Sequence, residues 1–564
     1  MVKGARNERP FLGVREIMMP MRKLATGCAL LVFSLAAAGQ QISPLTERID
    51  VTVINVDVTV TDRAGNPVAG LTRDDFEIFE DGRPQKITNF YIIQNAAVRS
   101  GAAAESASDS PQFRRKVVLM IDNNFILKPQ RDLALKKIDD FFDKHFDGNY
   151  EWSVITVGHN VESIQPFTTD RTKIHAAIDH VRQMETFTLQ PEMNRALLSD
   201  STRKATMGDA ASGFAYSNSV NFHSREQTMR MLQATTNTAR AVIQMCRAFG
   251  SAGGKKIVIL VTGGMERNTS FQAYETGEDR ILQQMKFDAS LTLDEMVHEA
   301  NAANFNLYVV KASGRGMIAP QHDVSNKSSG LNLYSTNIFQ QGGGAGPIDT
   351  SDVDSTSLTL ALGTGGLYLT GTETGRNFER IDTDTSNYYS LGYSPQHPED
   401  GDYHRITVKA KKAGLKIRHR EGYASLSFEQ RLEQTLIAPL TFQSERGSLP
   451  VTVEVGVPAD ADHVRVPVVA HLPMTRITVL PLGDAYVGRV HVYLSVYDSS
   501  GKNVGYHHLI KDVTVPKAEL SKLGNAQFQY KMNVALAKGE FTLVVTLRDD
   551  VTNDIGTALE NVRL

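Results

Sequence analysis

Cysteine is almost missing: the 564 residues contain two, Cys28 and Cys246. So few exclude a disulfide scaffold and a zinc-ribbon array. Tryptophan occurs once, at Trp152. Neither charge sign dominates, with 60 Lys+Arg against 63 Asp+Glu and a net charge of −3. That balance removes any whole-molecule case for a nucleic-acid partner. After residue 40 no apolar run approaches the roughly eighteen residues of a membrane span, so the mature chain carries no transmembrane segment. What is left is a globular composition, 41% hydrophobic and 22% charged, long enough for about three to four domains.

The N-terminus reads as an export signal over residues 1–39, with Met21 an alternative start. Met21-Arg22-Lys23 is basic, Leu24 to Leu35 is apolar, and Ala36-Ala37-Ala38 supplies a small-residue cleavage site. Cleavage there leaves Cys246 alone, so the expectation is export without an intrachain disulfide. The destination is periplasm, cell surface or medium.

Three periodicities follow. Ile54, Val56, Val58 and Val60 alternate with polar residues, the period of a half-buried strand. Residues 77–80 and 86–90 around Asp81-Gly82 form a hairpin pattern, and residues 95–112 resemble a linker. From Lys116 strands alternate with helices. Val117–Ile121 and Ile257–Val261 are continuous apolar runs, as parallel strands buried on both faces require. Thr169 or Asp170 can cap a helix carrying Ile174, Ile178 and Val181. Capping-box patterns at Ser224/Gln227 and Thr292/Glu295 suggest two further helix starts. After Tyr388 the chain is β again, and from Val451 short strands recur with turn signals, as in a β-sandwich. The fold class is therefore α/β plus all-β, with a Rossmann-like, open, mostly parallel sheet.

Four stretches carry a resemblance: VTVTDRAGNPVAGLTRDDFEIFEDGRPQKITNF (58–90), KVVLMIDNN (116–124), GGKKIVILVTGG (253–264), and YYSLGYSP with LKIRHREGY (388–395, 415–423). Together they resemble the VWFA-related family described from acidobacterial proteins, whose centre is a von Willebrand factor A (VWA) domain. The resemblance implies a VWA-like domain over 112–385 inserted in a β-sandwich made of 45–95 and 386–424. A C-terminal β-sandwich over 426–564 follows. It also implies partner binding at the loops above the strands' C-terminal ends, where open α/β sheets place ligands. VWA domains hold Mg²⁺ there with D-x-S-x-S, a loop Thr and the Asp of T-D-G.

This sequence departs from that pattern. Asp122 keeps the first carboxylate, but Asn124 and Ile126 replace the two serines. Gly263 stands at the second aspartate, and residues 184–223 hold no matching Thr loop. Asp122 and Asn124 are the remaining candidate ligands, with Glu266 a conceivable substitute; one carboxylate and an amide make a poor Mg²⁺ cage. Asp122 can equally accept hydrogen bonds from loop N–H groups, and Asn123 and Asn124 can be turn residues. The expected partner face comprises Asp122, Asn123, Asn124, Phe125, Thr168, Thr169, Asp170, Gly263, Gly264 and Glu266.

Other signals point to ordinary structure. His298-Glu299 lacks the second histidine of a zinc protease, since Ala302 occupies that place. Gly253-Gly254-Lys255-Lys256 precedes a strand instead of following one, and the run Gly342–Gly346 lacks a phosphate-cradle context. The basic segment Lys409–Arg420 reads as an exposed edge strand, with attachment to an anionic cell-surface polymer as the alternative. His507-His508 reads as surface. The expectation is an exported, non-enzymatic protein that binds another protein or a cell-surface component, without a cofactor. The alternatives are Mg²⁺-dependent adhesion and an envelope scaffold whose β modules carry the interaction.

Overall fold

The computed structural model describes residues 53–94, 97–100, 103–106, 115–145, 150–187, 210–252, 254–267, 288–312, 351–370, 374–443, 446–456 and 464–564. The proposed signal, most of 184–223 and all of 313–350 lie outside them. Two compact units emerge, Val53–Phe442 and a second containing Gln443–Leu564.

In the first unit the chain begins with β1 (Ile54–Thr61), β2 (Phe76–Glu80), β3 (Arg83–Gln85), β4 (Asn89–Gln94), β5 (Ala97–Ser100) and β6 (Ala103–Ser106). The α/β layer follows: β7 (Arg115–Asp122), α1 (Lys128–His145), β8 (Tyr150–Val157), β9 (Val161–Thr168), α2 (Arg171–Gln183), α3 (Ala210–Phe249) and β10 (Lys255–Thr262). It continues with α4 (Ser290–Ala302), β11 (Phe305–Lys311), α5 (Ser351–Gly363), β12 (Tyr368–Thr370) and α6 (Thr374–Ser386). The chain then returns to β structure with β13 (Tyr388–Tyr393), β14 (Tyr403–Ala410), β15 (Lys416–Arg418) and β16 (Gly422–Ala424), before α7 (Phe428–Ile437).

The α/β sheet runs β12-β11-β10-β7-β8-β9. Numbered within the sheet this is the doubly wound order 3-2-1-4-5-6, whose direction of growth reverses between β7 and β10. Five strands are parallel and β9 is antiparallel to β8. Val117, Leu119 and Ile121 of β7 face one helical layer through Leu135, Ile138 and Phe142 of α1. Val118 and Met120 face the other, through Val242 and Met245 of α3 and Met296 of α4. Burial on both faces explains the uninterrupted apolar runs. Trp152 is 4% exposed, packed edge-on against Phe142 at 4.4 Å.

Strands from both ends of this unit form two antiparallel sheets, β15-β1-β13-β4-β5-β6 and β16-β14-β2-β3. They enclose one core, with Val56, Val58, Ile78, Leu391, Ile406 and Val408 at its centre. Asp81 and Gly82, with φ of 47° and 79°, turn β2 into β3, as a two-residue hairpin requires. The segment expected to continue that hairpin instead leaves it: β4 pairs with β13 in the other sheet. Residues 97–100 and 103–106, expected in a linker, are strands on that sheet's edge.

Helix starts differ from the sequence signals. The backbone is helical from Ala210, fourteen residues before Ser224, and α4 starts at Ser290 with no side-chain cap. A capping-box spacing also fits a helix interior, which is why neither start followed the pattern. The second unit, taken alone, folds strands between Arg446 and Arg563 into two antiparallel sheets over a shared aliphatic core. Among the described residues no helix is long and apolar enough to cross a membrane.

Candidate functional site

The reversal point between β7 and β10 is where a doubly wound sheet opens a crevice for ligands. Asp122 ends β7, and Gly263 follows β10. The chain fills this crevice itself. Asp122 is fully buried; its Oδ2 accepts from the Thr262 hydroxyl at 2.9 Å, and its Oδ1 accepts from the Asn124 N–H at 3.1 Å and the Thr238 hydroxyl at 3.3 Å. Burial pushes its carboxyl up to about 7, against the opposing effect of these hydrogen bonds. Thr238 lies on α3, so the helix layer supplies the hydroxyl that no loop pattern in the sequence announced.

Neighbouring residues seal the place further. Asn123 is 2% exposed; its N–H donates to the Val157 carbonyl at 2.8 Å and its own carbonyl accepts from Phe187 N–H at 2.9 Å. The fully buried Arg131 donates to Asn123 Oδ1 at 3.1 Å and to the carbonyls of Arg182 and Met184. Phe125 and Ile126 are core residues on opposite faces of the sheet. A Cβ on Gly263 would overlap the Phe125 carbonyl oxygen. Glycine is thus the residue this close approach admits, and an aspartate there has no room.

These residues do not fit Mg²⁺. The cation wants near-octahedral oxygen ligands and usually keeps several waters. Here the Asp122 carboxylate already holds three donors, and Phe125, Ile126 and Met265 of the two flanking loops are each 0% exposed.

The partner face expected from the sequence therefore divides. Asp122, Asn123, Asn124, Phe125, Gly264 and Glu266 are buried, so none of them is contact surface, and Gly263 is partly buried. Thr169 and Asp170 are exposed, with Thr168 partly so, but at the wrong end. Because β9 runs back along β8, Thr168 pairs with Trp152 near the start of β8 while Val161 pairs with Val157 at its end. Asp170 is the N-cap of α2, accepting from Thr172 N–H at 2.9 Å. Among the described residues, accessible ones on this side include His159 and Asn160 of the β8–β9 turn, with Glu185 and Phe187 after α2. Phe187 is 40% exposed and meets the His159 ring edge-on at 3.9 Å. The only sequence signal for this pair was an aromatic residue in a stretch without periodicity.

Two other expectations are corrected by their surroundings. The basic segment matches its expectation in part: β15 is the edge strand of its sheet and Lys409, Lys411 and Lys412 are exposed, but Arg420 is 8% exposed and donates to the carbonyls of Asn301 and Asn55, each at 2.9 Å. Arg418 pairs with Asp384 and donates to the carbonyl of Gly366 at 2.9 Å. His508 meets His491 at 2.9 Å and stacks on Tyr493 at 4.4 Å, so it is not simply surface. His298 stacks on Tyr403, and Glu299 pairs with Arg247.

The chain matches no protein-family model and no curated protein. Among solved structures, an aerotolerance-related membrane protein from Bacteroides fragilis is 13% identical at a TM-score of 0.24, over 48% of this chain and 98% of that one. The ArnB paralog VWA2 from Sulfolobus acidocaldarius is 11% identical at 0.20, over 90% and 74%. The pilus adhesin SpaC from Lactobacillus rhamnosus GG is 8% identical at 0.24, over 88% and 57%. At such scores the likeness establishes neither a shared fold nor a shared role.

Proposed function

We propose that this is an exported, non-enzymatic binding protein that holds another protein or a cell-surface component at the loop end of its α/β domain, without a metal ion. The observation that carries the reading is the crevice between β7 and β10: Asp122 there is buried and already accepts three hydrogen bonds. What this end offers a partner is an outer rim, with Phe187 and His159 as an aromatic anchor. Partly exposed aromatic residues are the side chains from which binding hot spots are built.

The test is capture of envelope components by the immobilised intact chain, with dissociation kinetics measured. Combined Phe187→Ala and His159→Ala substitutions are expected to weaken capture about tenfold, the scale of a modest hot spot. Asp122→Asn and added chelator are expected to leave it unchanged. Capture lost with chelator, or undiminished in the double variant, would overturn the reading.

A further inference from the structure

A second cluster of chemistry-bearing side chains lies in the first unit's β-sandwich, away from the α/β crevice. Glu80 closes β2, His404 sits on β14, and His397 and Asp400 lie in the loop between β13 and β14. One ligand atom from each of Glu80, His397 and His404 falls within 4.8 Å of the others. The positive-φ turn at Asp81-Gly82 adds Asp81 to the group.

Each ring has its Nδ1 beside an acceptor, as metal-binding imidazoles do. His397 Nδ1 is 2.7 Å from the Pro398 carbonyl, and His404 Nδ1 is 2.8 Å from Asp81 Oδ2. Both partners are acceptors, so in the neutral ring Nδ1 carries the proton and Nε2 holds a lone pair; the Tyr423 hydroxyl also lies 3.2 Å from His397 Nε2. Those lone pairs face carboxylate oxygens: His397 Nε2 is 3.4 Å from Glu80 Oε1, and His404 Nε2 is 3.3 Å from Asp400 Oδ1. Such a pair needs a cation between its two atoms, either a proton on the ring or a metal ion. The two rings stack with centroids 3.9 Å apart, which brings both beside the Glu80 carboxylate. The separations also match the ligand–ligand edge of about 3.3 Å in a tetrahedral site with bonds of about 2.0–2.1 Å.

Glu80 is built for such a role. It is 5% exposed, and its Oε2 accepts from the hydroxyls of Tyr393 at 2.5 Å and Tyr423 at 2.9 Å, which leaves Oε1 directed at His397. The histidines are 22% and 12% exposed, so an ion can reach them from solvent.

We propose that Glu80, His397 and His404 form a binding site for a borderline divalent transition cation, Zn²⁺ being the reference ion. Two imidazoles with a carboxylate suit Zn²⁺, Ni²⁺ or Cu²⁺ and disfavour Mg²⁺, which takes oxygen ligands. Loading splays the stacked rings, since a metal lies in the plane of each imidazole it binds. The ion would clip the β2–β3 turn to the β13–β14 loop, independently of partner binding at the α/β domain.

The experiment is a calorimetric titration of the chelator-stripped intact chain with ZnCl₂ and, separately, MgCl₂. One Zn²⁺ is expected to bind saturably at this site, with no heat from Mg²⁺ here. His397→Ala, His404→Ala and the gentler His397→Gln are each expected to lower Zn²⁺ affinity at least tenfold, the scale of a lost ligand or its support. Thermal melts in chelator check that each variant is folded, and Zn²⁺ should raise the melting temperature of the unaltered chain only. Absence of saturable Zn²⁺ heat, or folded variants that bind with unchanged affinity, would overturn the proposal.

Discussion

A carboxyl group sealed from water generates its own pH dependence. The Asp122 carboxyl lies near 7 in the folded protein, above the ordinary 3.8. The folded chain therefore holds this proton more tightly than the unfolded chain does. From this group alone, stability is greatest below about pH 4, falls as pH rises through 7, and levels off above. Asp122→Asn keeps the shape without the ionisation, so its urea midpoint should lose that downward slope between pH 4 and 7. Equal slopes for the two proteins would contradict the assignment. Asp122→Ala leaves the Thr262 and Thr238 hydroxyls and the Asn124 N–H without their acceptor, at about 1–3 kcal/mol for each group left unpaired. Gly263 makes the complementary case through space instead of charge. Gly263→Ala forces its new methyl against the Phe125 carbonyl and should cost about 1–3 kcal/mol or more by denaturant unfolding; unchanged stability would show that the loop yields.

Secondary-structure elements decided which expectations held their place. β7 and β10 were legible because burial on both faces demands unbroken apolar runs, and α2 because Asp170 caps it while Ile174, Ile178 and Val181 recur on one face. Strand direction was not legible. β8 and β9 look alike in sequence whether they are parallel or antiparallel, and the antiparallel return carried Thr168–Asp170 to the far end of the sheet. Contacts across long separations were equally hidden: nothing local ties Thr238 to Asp122, or His397 to Glu80. The cap offers a clean test of this geometry. Asp170→Ala should lower the urea midpoint through the lost Thr172 hydrogen bond, while partner capture stays at its original level. Reduced capture by the folded variant would return Thr168–Asp170 to the binding face.

At the scale of the first unit, buried arginines join the β-sandwich to the α/β layer. Arg420 reaches Asn55 on β1 with one nitrogen and Asn301 at the end of α4 with another. Lys255 of β10 adds a 3.3 Å ion pair to Asp57 of β1. Removing one partner of such a buried array leaves acceptors unpaired, so Arg420→Met should cost about 2–4 kcal/mol. It should also uncouple the unfolding of the β-sandwich from that of the α/β layer in calorimetry. One undivided transition at the original midpoint would show that the arginine is dispensable.

On the function proposed above, the crevice between β7 and β10 is closed by the chain and partners are left to the rim. The most direct measurement is urea unfolding of the intact chain at pH 8, with and without excess Mg²⁺, beside Asp122→Asn. A ligand that binds only the folded state raises the midpoint. The prediction is that Mg²⁺ leaves both midpoints where they are and that the asparagine variant is at least as stable as the original. A midpoint raised by Mg²⁺ in the original chain and not in the variant would contradict it.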